Sequence, residues 1–564
     1  MKHGRLFVLV LILSILITNI TSATPTTITL DSNKHPIKTI SGYKNPQKFV
    51  SKLTNEKVKQ LKEKISLLYK SKDLNLYLHI RDNYLNISNI EYAMTVGASG
   101  DSEAKLWAEK KLNFLYQFID LNLGGIYLFS NQGDWKHPHY EKTLITNAGY
   151  LRLYAEASQY WHNQMYLFAA QQIANYIHNY LTSPEGAFYA DQSTFVTPIK
   201  QEPHNYHLNE KNRGLLSRPQ NSKHIYTDAN GITINSLVYI HMVQPHFNYL
   251  HDAIKATQWI IKNNRTTDGG FFHSTEDRTG FHLSDNLAMS IAFLTLYRAT
   301  TDKKYLILSQ QTMNFIDKLF KNPSGNAGFI TYLPSKIPMQ FKPTLSTYEN
   351  YMMVRIAHLL YYYSENNTYQ EMAKNGMRYL TSPNVIDDVQ PTMLLLANLR
   401  MTTEPLQIII VGSKNNTMAK QLHSAALAYP SFYVRIEWYD NQKALSNAGK
   451  KFLTSHKPAA YVCVNFHCSF AIFTPQQLTN IIQKLVKDPH LSRQIINQKV
   501  KNLSINTNYN LTKTLNKEPI IFVILGFFLV GIGVAFTPYA KKVIMRSNRL
   551  HSAYYNDYRA IYFA

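Results

Sequence analysis

The sequence predicts a mainly helical protein in which helices come as hairpins stacked side by side, most economically closed into a single helical toroid. Three observations carry that class. Helical runs pair off in succession: 141–160 with 164–181, 231–242 with 247–262, 285–300 with 305–320, and 348–364 with 369–380. Between pairs a glycine-aromatic turn recurs about every sixty residues, at Gly124-Gly125-Ile126-Tyr127, Gly186-Ala187-Phe188-Tyr189, Gly269-Gly270-Phe271-Phe272 and Ala327-Gly328-Phe329-Ile330. The next helix then opens on an acidic residue or Asn: Glu141, Asp228 with Asn230, Asp285 with Asn286, Glu349 with Asn350. One interval is lengthened by the insert 199–223.

In chain order, residues 1–23 have a charged start, an apolar run from Leu6 to Ile17 and the small-residue exit Thr21-Ser22-Ala23, the pattern of a secretion signal with an uncleaved anchor as its rival. Residues 24–54 are polar, Thr-rich and without period, a loose leading segment. The toroid is expected over 55–400. Val58, Leu61, Ile65 and Leu68 mark one face of its first helix, and further helices follow around 86–96 and 102–121. Over 401–490 strand-like Leu406 to Val411, Phe432 to Tyr439 and Ala459 to Asn465 alternate with helices at 417–429 and 475–486, a small α/β appendage. An Asn- and Thr-rich tether over 491–518 leads to an uncharged run over 519–538, read as a transmembrane helix, and a basic tail over 539–564. Lys541, Lys542, Arg546 and Arg549 place that tail in the cytoplasm and the large domain on the periplasmic or extracellular side.

The net charge of +23 is spread along the chain and resembles no nucleic-acid module, so no nucleic-acid partner is expected. Two cysteines, Cys463 and Cys468, exclude a disulfide scaffold and a zinc ribbon; in an oxidising compartment they either bridge or stay as buried thiols. Neither a metal nor a cofactor is expected.

The densest stretch of chemistry runs from Gly124 to Leu151. Asp134, Trp135, His137, His139 and Glu141 arrive just before a long helical run, and Pro138 predicts that the helix begins near His139 or Tyr140. Helices that start alike in a closed ring point their N-termini at one shared end, so the catalytic candidates His137, His139, Glu141, Asp228, Asp285 and Glu349 are expected to converge on a central funnel. Asp134, Trp135, Tyr189, Asn230, Asn286 and Asn350 are the candidates for holding a substrate there. For each Asp or Asn taken singly, simple helix capping is the competing explanation.

Five stretches resemble a known family, the YyaL-like, spermatogenesis-associated, thioredoxin-domain-containing proteins: His137-Pro138-His139-Tyr140-Glu141-Lys142-Thr143-Leu144, Leu181 to Tyr189, Tyr226-Thr227-Asp228-Ala229-Asn230-Gly231, Ser284-Asp285-Asn286-Leu287-Ala288 and Ala460 to Cys468. The resemblance implies a six-hairpin (α/α)6 toroid related to N-acylglucosamine 2-epimerases, and through that fold a saccharide or glycan ligand. The chain departs from the family in lacking a thioredoxin-like domain in front, and with it a reactive cysteine pair, and in having Tyr140 and Ala229 where the family carries Phe and commonly Trp.

Two chemistries fit the candidates. The epimerase relatives of that fold use two histidines that remove and return a proton beside a carbonyl, a role for which His137, His139, His273 and His282 lie nearest the turn-helix junctions. The hydrolases use paired carboxylates, for which Asp134, Glu141, Asp228, Asp285 and Glu349 are available. The alternative class is a non-catalytic toroid that binds glycans or proteins of the cell envelope.

Overall fold

A computed structural model describes residues 53–70, 83–130, 138–139, 141–192, 195–197, 200–201, 221–245, 248–335, 342–429, 431, 433–440, 457–464 and 467–487, with the strand pair Thr29–Leu30 and Pro36–Ile37. The expected signal, tether, membrane span and tail lie outside these residues, as do Asp134, Trp135 and His137. Among the described residues no helix is long and apolar enough to cross a membrane.

The described residues are mainly helical. Twelve helices build the body: α1 (Asn55–Lys70), α2 (Asn83–Ala98), α3 (Ser102–Tyr116), α4 (Leu144–Tyr160), α5 (Gln164–Tyr176), α6 (Thr227–Val243), α7 (Tyr249–Asn264), α8 (Leu283–Thr300), α9 (Lys303–Leu319), α10 (Thr347–Ser364), α11 (Asn367–Leu380) and α12 (Pro391–Thr402). Contacts run α2 to α4, α4 to α6, α6 to α8, α8 to α10, α10 to α12 and α12 back to α2, which closes an inner ring of six. Each inner helix packs on one outer helix: α3, α5, α7, α9 and α11 back the helix before them, and α1 returns to back α12. This is a six-hairpin toroid. Composition separates the two rings. Inner α8 buries sixteen of its eighteen residues, while outer α11 is amphipathic and buries one face.

The recurring turn has a mechanical explanation. In the first turn of four inner helices an Asn side chain clamps the backbone of the apolar residue that follows the glycines. Ile126, Phe188, Phe271 and Phe329 donate their N–H to Asn147, Asn230, Asn286 and Asn350 at 2.8, 2.9, 3.0 and 2.8 Å. Each amide Nδ2 returns to the carbonyl of the same residue and to the carbonyl four residues back in its own helix. The amides are thus fully engaged, and all four Asn are wholly buried. The glycines make room for the approach. Gly125 sits at φ +77°, and a Cβ there would lie 2.5 Å from the Tyr176 ring.

The start of α4 differs from the expectation of a helix from His139 or Tyr140. Pro138–His139 forms a two-residue strand against Phe129–Ser130, and Lys142–Thr143 another against Asp191–Gln192. The helix begins at Leu144, where Thr143 Oγ1 accepts the Thr146 N–H. Lys142 is the reason: its ammonium is fully buried, bonded to Asp120 and to the Gly124 carbonyl at 2.8 Å each and flanked by the Tyr127 and Tyr176 rings. That anchor holds the chain extended before α4.

Beyond α12 lies a four-stranded sheet of order β2-β1-β3-β4, with β1 (Leu406–Val411), β2 (Val434–Tyr439), β3 (Ala459–Val464) and β4 (His467–Cys468), β1 and β2 being parallel. Helices α13 (Thr417–Leu427) and α14 (Pro475–Lys487) pack against it and against each other. Cys463 and Cys468, directly paired in register, are bridged.

This unit sits on the C-terminal ends of the inner helices. Arg298 of α8 donates to the Ser431 carbonyl, Tyr363 of α10 accepts the Ile436 N–H, His358 bonds the Tyr433 hydroxyl, and Tyr433 also reaches the Arg400 carbonyl of α12. One mouth of the toroid is therefore closed.

Two buried histidines line that junction, and burial lowers His358 to about 3 and His423 to about 4. Their folded-state values lie below the ordinary value near 6.5, so the unfolded chain binds more protons and stability contributed by neutral imidazole is lost as pH falls from about 6.5 toward about 4. Carboxyls raised to about 7, such as Glu156 and Glu404, act in the opposite sense. A His423→Gln comparison isolates the imidazole. In urea titrations the wild type is expected to lose ground against the variant by roughly 1.4 kcal/mol per pH unit across that window. A constant difference would show that His423 stays accessible to protons.

Candidate functional site

The open mouth is the end where the inner helices begin. The repeat places side chains there in a regular way: the residue two beyond each clamped aromatic gives its carbonyl to the first N–H of the preceding inner helix. Ala190 accepts from Leu144, His273 from Thr227 and Thr331 from Leu283, at 2.8, 2.8 and 2.9 Å. His273 and Thr331 are thereby fixed beside the first turns of α6 and α8.

Around them gather Asp228 of α6, Asp285 of α8 and Glu349 of α10. The Asp228 N–H donates to Asp285 Oδ1 at 2.9 Å, and His273 Nδ1 lies 3.1 and 3.2 Å from the two Asp285 oxygens. Asp285 is wholly buried, while His273 keeps about a quarter of its side chain in solvent. The hydrogen bond to Asp285 is the main cause that raises His273 to about 9, over the opposing effect of burial. Burial pushes the Asp285 carboxyl up to about 7 against the pull of His273. Between these values the pair is an imidazolium seated on a carboxylate.

A second imidazole stands beside the first. The His282 ring centroid is 5.2 Å from that of His273 and 4.7 Å from the Tyr332 ring, while Tyr226 stacks on His273 at 4.6 Å. Burial and the neighbouring His273 lower His282 below the ordinary histidine value. Two adjacent imidazoles are thus driven apart in acidity, one protonated and one neutral.

Glu349 completes the rim. Only 8% of the residue is exposed, and burial raises its carboxyl to about 7 against the lowering influence of the nearby Thr331 hydroxyl and Ser284 N–H. Its Oε2 is buried with no hydrogen-bond partner among the described residues. Among the described residues, Asp228, His273 and Asp285 are the group able to hold a metal ion, their donor atoms all lying within 4.8 Å of one another. A metal there would have to displace the proton that Asp285 keeps on His273.

Below the rim a cavity of about 70 Å³ lies on the toroid axis, lined by α2, α4, α6, α8 and α10. Its floor is an ion network. Glu91 accepts from Arg355 through both oxygens and from Arg152 at 3.0 Å, and Arg152 reaches Glu156 at 2.9 Å. Tyr351 joins through Arg355 Nη1 at 2.6 Å.

Of the sequence candidates, Asp228, Asp285 and Glu349 come together, and His273 and His282 join them. Asn230, Asn286 and Asn350 do not line the funnel, because the turn clamps use their amides. Glu141 is in the strand segment before α4, its carbonyl accepting the Leu128 N–H. His139 pairs through its backbone with Phe129. Tyr189 is half-buried just past the second turn, its N–H on the Leu181 carbonyl. Tyr332, Thr331 and the network of Glu91, Arg152 and Arg355 were not among the candidates. Charged residues inside the otherwise apolar helices α4 and α10 are the signal that marks the network.

No protein-family model matches the chain and no curated protein matches it, so the family resemblance of the sequence words has no support from either comparison. Solved structures similar to it include a cellobiose 2-epimerase from Bacillus thermoamylovorans, at 12% identity and TM-score 0.44 over 58% of this chain and 87% of that one. Another is an unsaturated glucuronyl hydrolase specific for heparin, at 11% identity and TM-score 0.44 over 61% and 95%. A third is the GH76 alpha-mannanase of Bacteroides thetaiotaomicron, at 15% identity and TM-score 0.38 over 56% and 84%. At such identities and scores no residue and no activity is carried from them to this chain.

Proposed function

We propose that the open mouth of the toroid is the active site of a carbohydrate isomerase or epimerase, in which His282 removes a proton next to a sugar carbonyl and His273 protonates the intermediate. The observation that carries this reading is the pair of imidazoles 5.2 Å apart whose acidities are displaced in opposite directions. Two titratable groups pushed apart by their surroundings are what a general base and a general acid require at one pH. Asp285, buried behind His273, holds it in position and keeps it charged. Sugar hydroxyls are hydrogen-bond donors, and the carboxyls of Asp228 and Glu349 beside the rings of Tyr226 and Tyr332 are acceptors and apolar faces suited to them. The sequence reading adds the place: with a secretion signal and a membrane span at the two ends, this site would act outside the cytoplasm.

Proton abstraction next to a carbonyl leaves a trace in heavy water. Reducing hexoses incubated with the protein in deuterated buffer are expected to gain deuterium at C2, followed by proton NMR, and His282→Gln should slow that gain by about 10²–10⁴-fold. Cleavage of a glycosidic bond without any exchange would sink the isomerase reading in favour of paired-carboxylate hydrolysis, for which Glu349 with its raised carboxyl is the acid.

A further inference from the structure

The buried arginines do not all have anions. Among the described residues five are buried: Arg152, Arg298, Arg355, Arg400 and Arg435. Glu91 engages Arg152 and Arg355, Glu156 engages Arg152 as well, and Glu437 engages Arg435. Arg298 has no carboxylate but donates to the Ser431 carbonyl and the Met242 sulfur. Arg400 has neither kind of partner.

Arg400 stands in the last turn of α12 at 6% exposure, where the α/β unit covers the ends of the inner helices. Its guanidinium lies 4.6 Å from the centre of the Tyr433 ring and forms no ion pair and no hydrogen bond with any described residue. Nε is sealed without a partner, whereas the two Nη atoms are unbonded and not sealed. The outer donors of the fork therefore face space rather than protein atoms. An arginine does not escape by losing its proton. A ring face attracts a cation, but less than water does, so Tyr433 alone leaves most of the cost of burial standing. The axis network has no negative charge left over, because Glu91 already serves two guanidiniums and burial raises the Glu156 carboxyl to about 7. Burial, and then the charge of Arg355, work against the Arg400 cation.

We propose that the junction between the toroid and the α/β unit binds a monovalent inorganic anion of the halide class, held by the Nη donors of Arg400. Phosphate and sulfate call for several converging donors and give up more hydration, and a single guanidinium in a covered place suits a small, singly charged ion better. Arg400 belongs to the toroid and Tyr433 leads into β2, so the ion would fasten one to the other. The site is separate from the open mouth and independent of its sugar chemistry.

Thermal unfolding of the full chain in sodium bromide, with sodium gluconate keeping the ionic strength constant, measures the binding. Stability is expected to rise with bromide, and past half-saturation the folded-to-unfolded ratio should grow about tenfold for each tenfold rise in the anion. Anomalous scattering from bromide in crystals of the same chain should place an ion within hydrogen-bond reach of the Arg400 Nη atoms. Arg400→Met, which keeps an unbranched apolar stem, is expected to stay folded and to lose both the response and the scatterer. Wild-type stability that ignores bromide, a larger gain from sulfate or phosphate at equal ionic strength, or a bromide response that survives in Arg400→Met would each overturn the proposal. Should Arg400→Met fail to fold, the wild-type response and the position of the scatterer decide by themselves.

Discussion

Glu91→Ala is expected to lower the free energy of unfolding by about 3–5 kcal/mol, the largest loss of stability for any single side chain of the toroid axis. Glu91 is 3% exposed and is the shared counter-charge of two buried guanidiniums, Arg355 at 2% and Arg152 at 9%. The ion pairs hold its carboxyl well below the usual carboxylate range despite burial. Removing it leaves Arg355 with the Tyr351 hydroxyl and Arg152 with Glu156, and a buried cation without its anion is far more costly than the pair was worth. Because Glu91 also helps to keep the Glu156 carboxyl high, at about 7, Glu156 should ionise more readily in the variant. Urea unfolding followed by circular dichroism measures the loss. A change under about 1 kcal/mol would mean that water reaches the network and that its charges are not desolvated.

How far the chain could be read without coordinates follows from what each signal encodes. Helix pairs and the glycine-aromatic turn are local, periodic and repeated, so the hairpins were legible nearly to the residue, and so was the α/β appendage. The Asn at each inner helix start was visible too, but its purpose was not. Asn230 next to Asp228 looks like a polar pair facing a ligand, and only the packing shows that the amide turns to Phe188 while the carboxylate turns to the rim. Lys142 hid the start of α4 for a similar reason, since a lysine in a sequence reads as solvated surface and this one is buried among Asp120 and two tyrosines. Helix α12 was missed because its partner is α1, at the far end of the chain, so no neighbouring helix completes a hairpin with it. The stretch around His137 and His139, richest in ionisable groups, drew attention by density. The site assembled instead from the third and fourth repeats, where two imidazoles and three carboxyls are distant in sequence and near in space. The repeat register offers a way to find it: two residues past each clamped apolar residue stand Leu128, Ala190, His273 and Thr331, and only the last two bring polar side chains to a mouth.

If His273 is the acid of the pair, Asp285→Asn should disable the site while leaving it assembled. The asparagine oxygen still accepts the Asp228 N–H, so the first turns of α6 and α8 keep their tie and the fold is expected to hold. What disappears is the negative charge behind His273. The hydrogen bond to Asp285 is the first cause of its rise to about 9, and with that bond weakened and the charge behind it gone, burial is opposed only by Asp228 and Asp277 and brings the imidazole down. In the wild type, activity should rise with pH as His282 loses its proton and fall as His273 loses its own near pH 9. In Asp285→Asn the alkaline limb should shift toward acid until both rings are neutral near pH 7, with exchange slowed by about 10²–10⁴-fold there and partial recovery at lower pH. Ring titration of His273 by NMR reports the same displacement without any substrate. A His273 that still titrates near 9 in the variant, or an alkaline limb that does not move, would show that Asp285 serves only to tie α6 to α8 and that the proton comes from elsewhere.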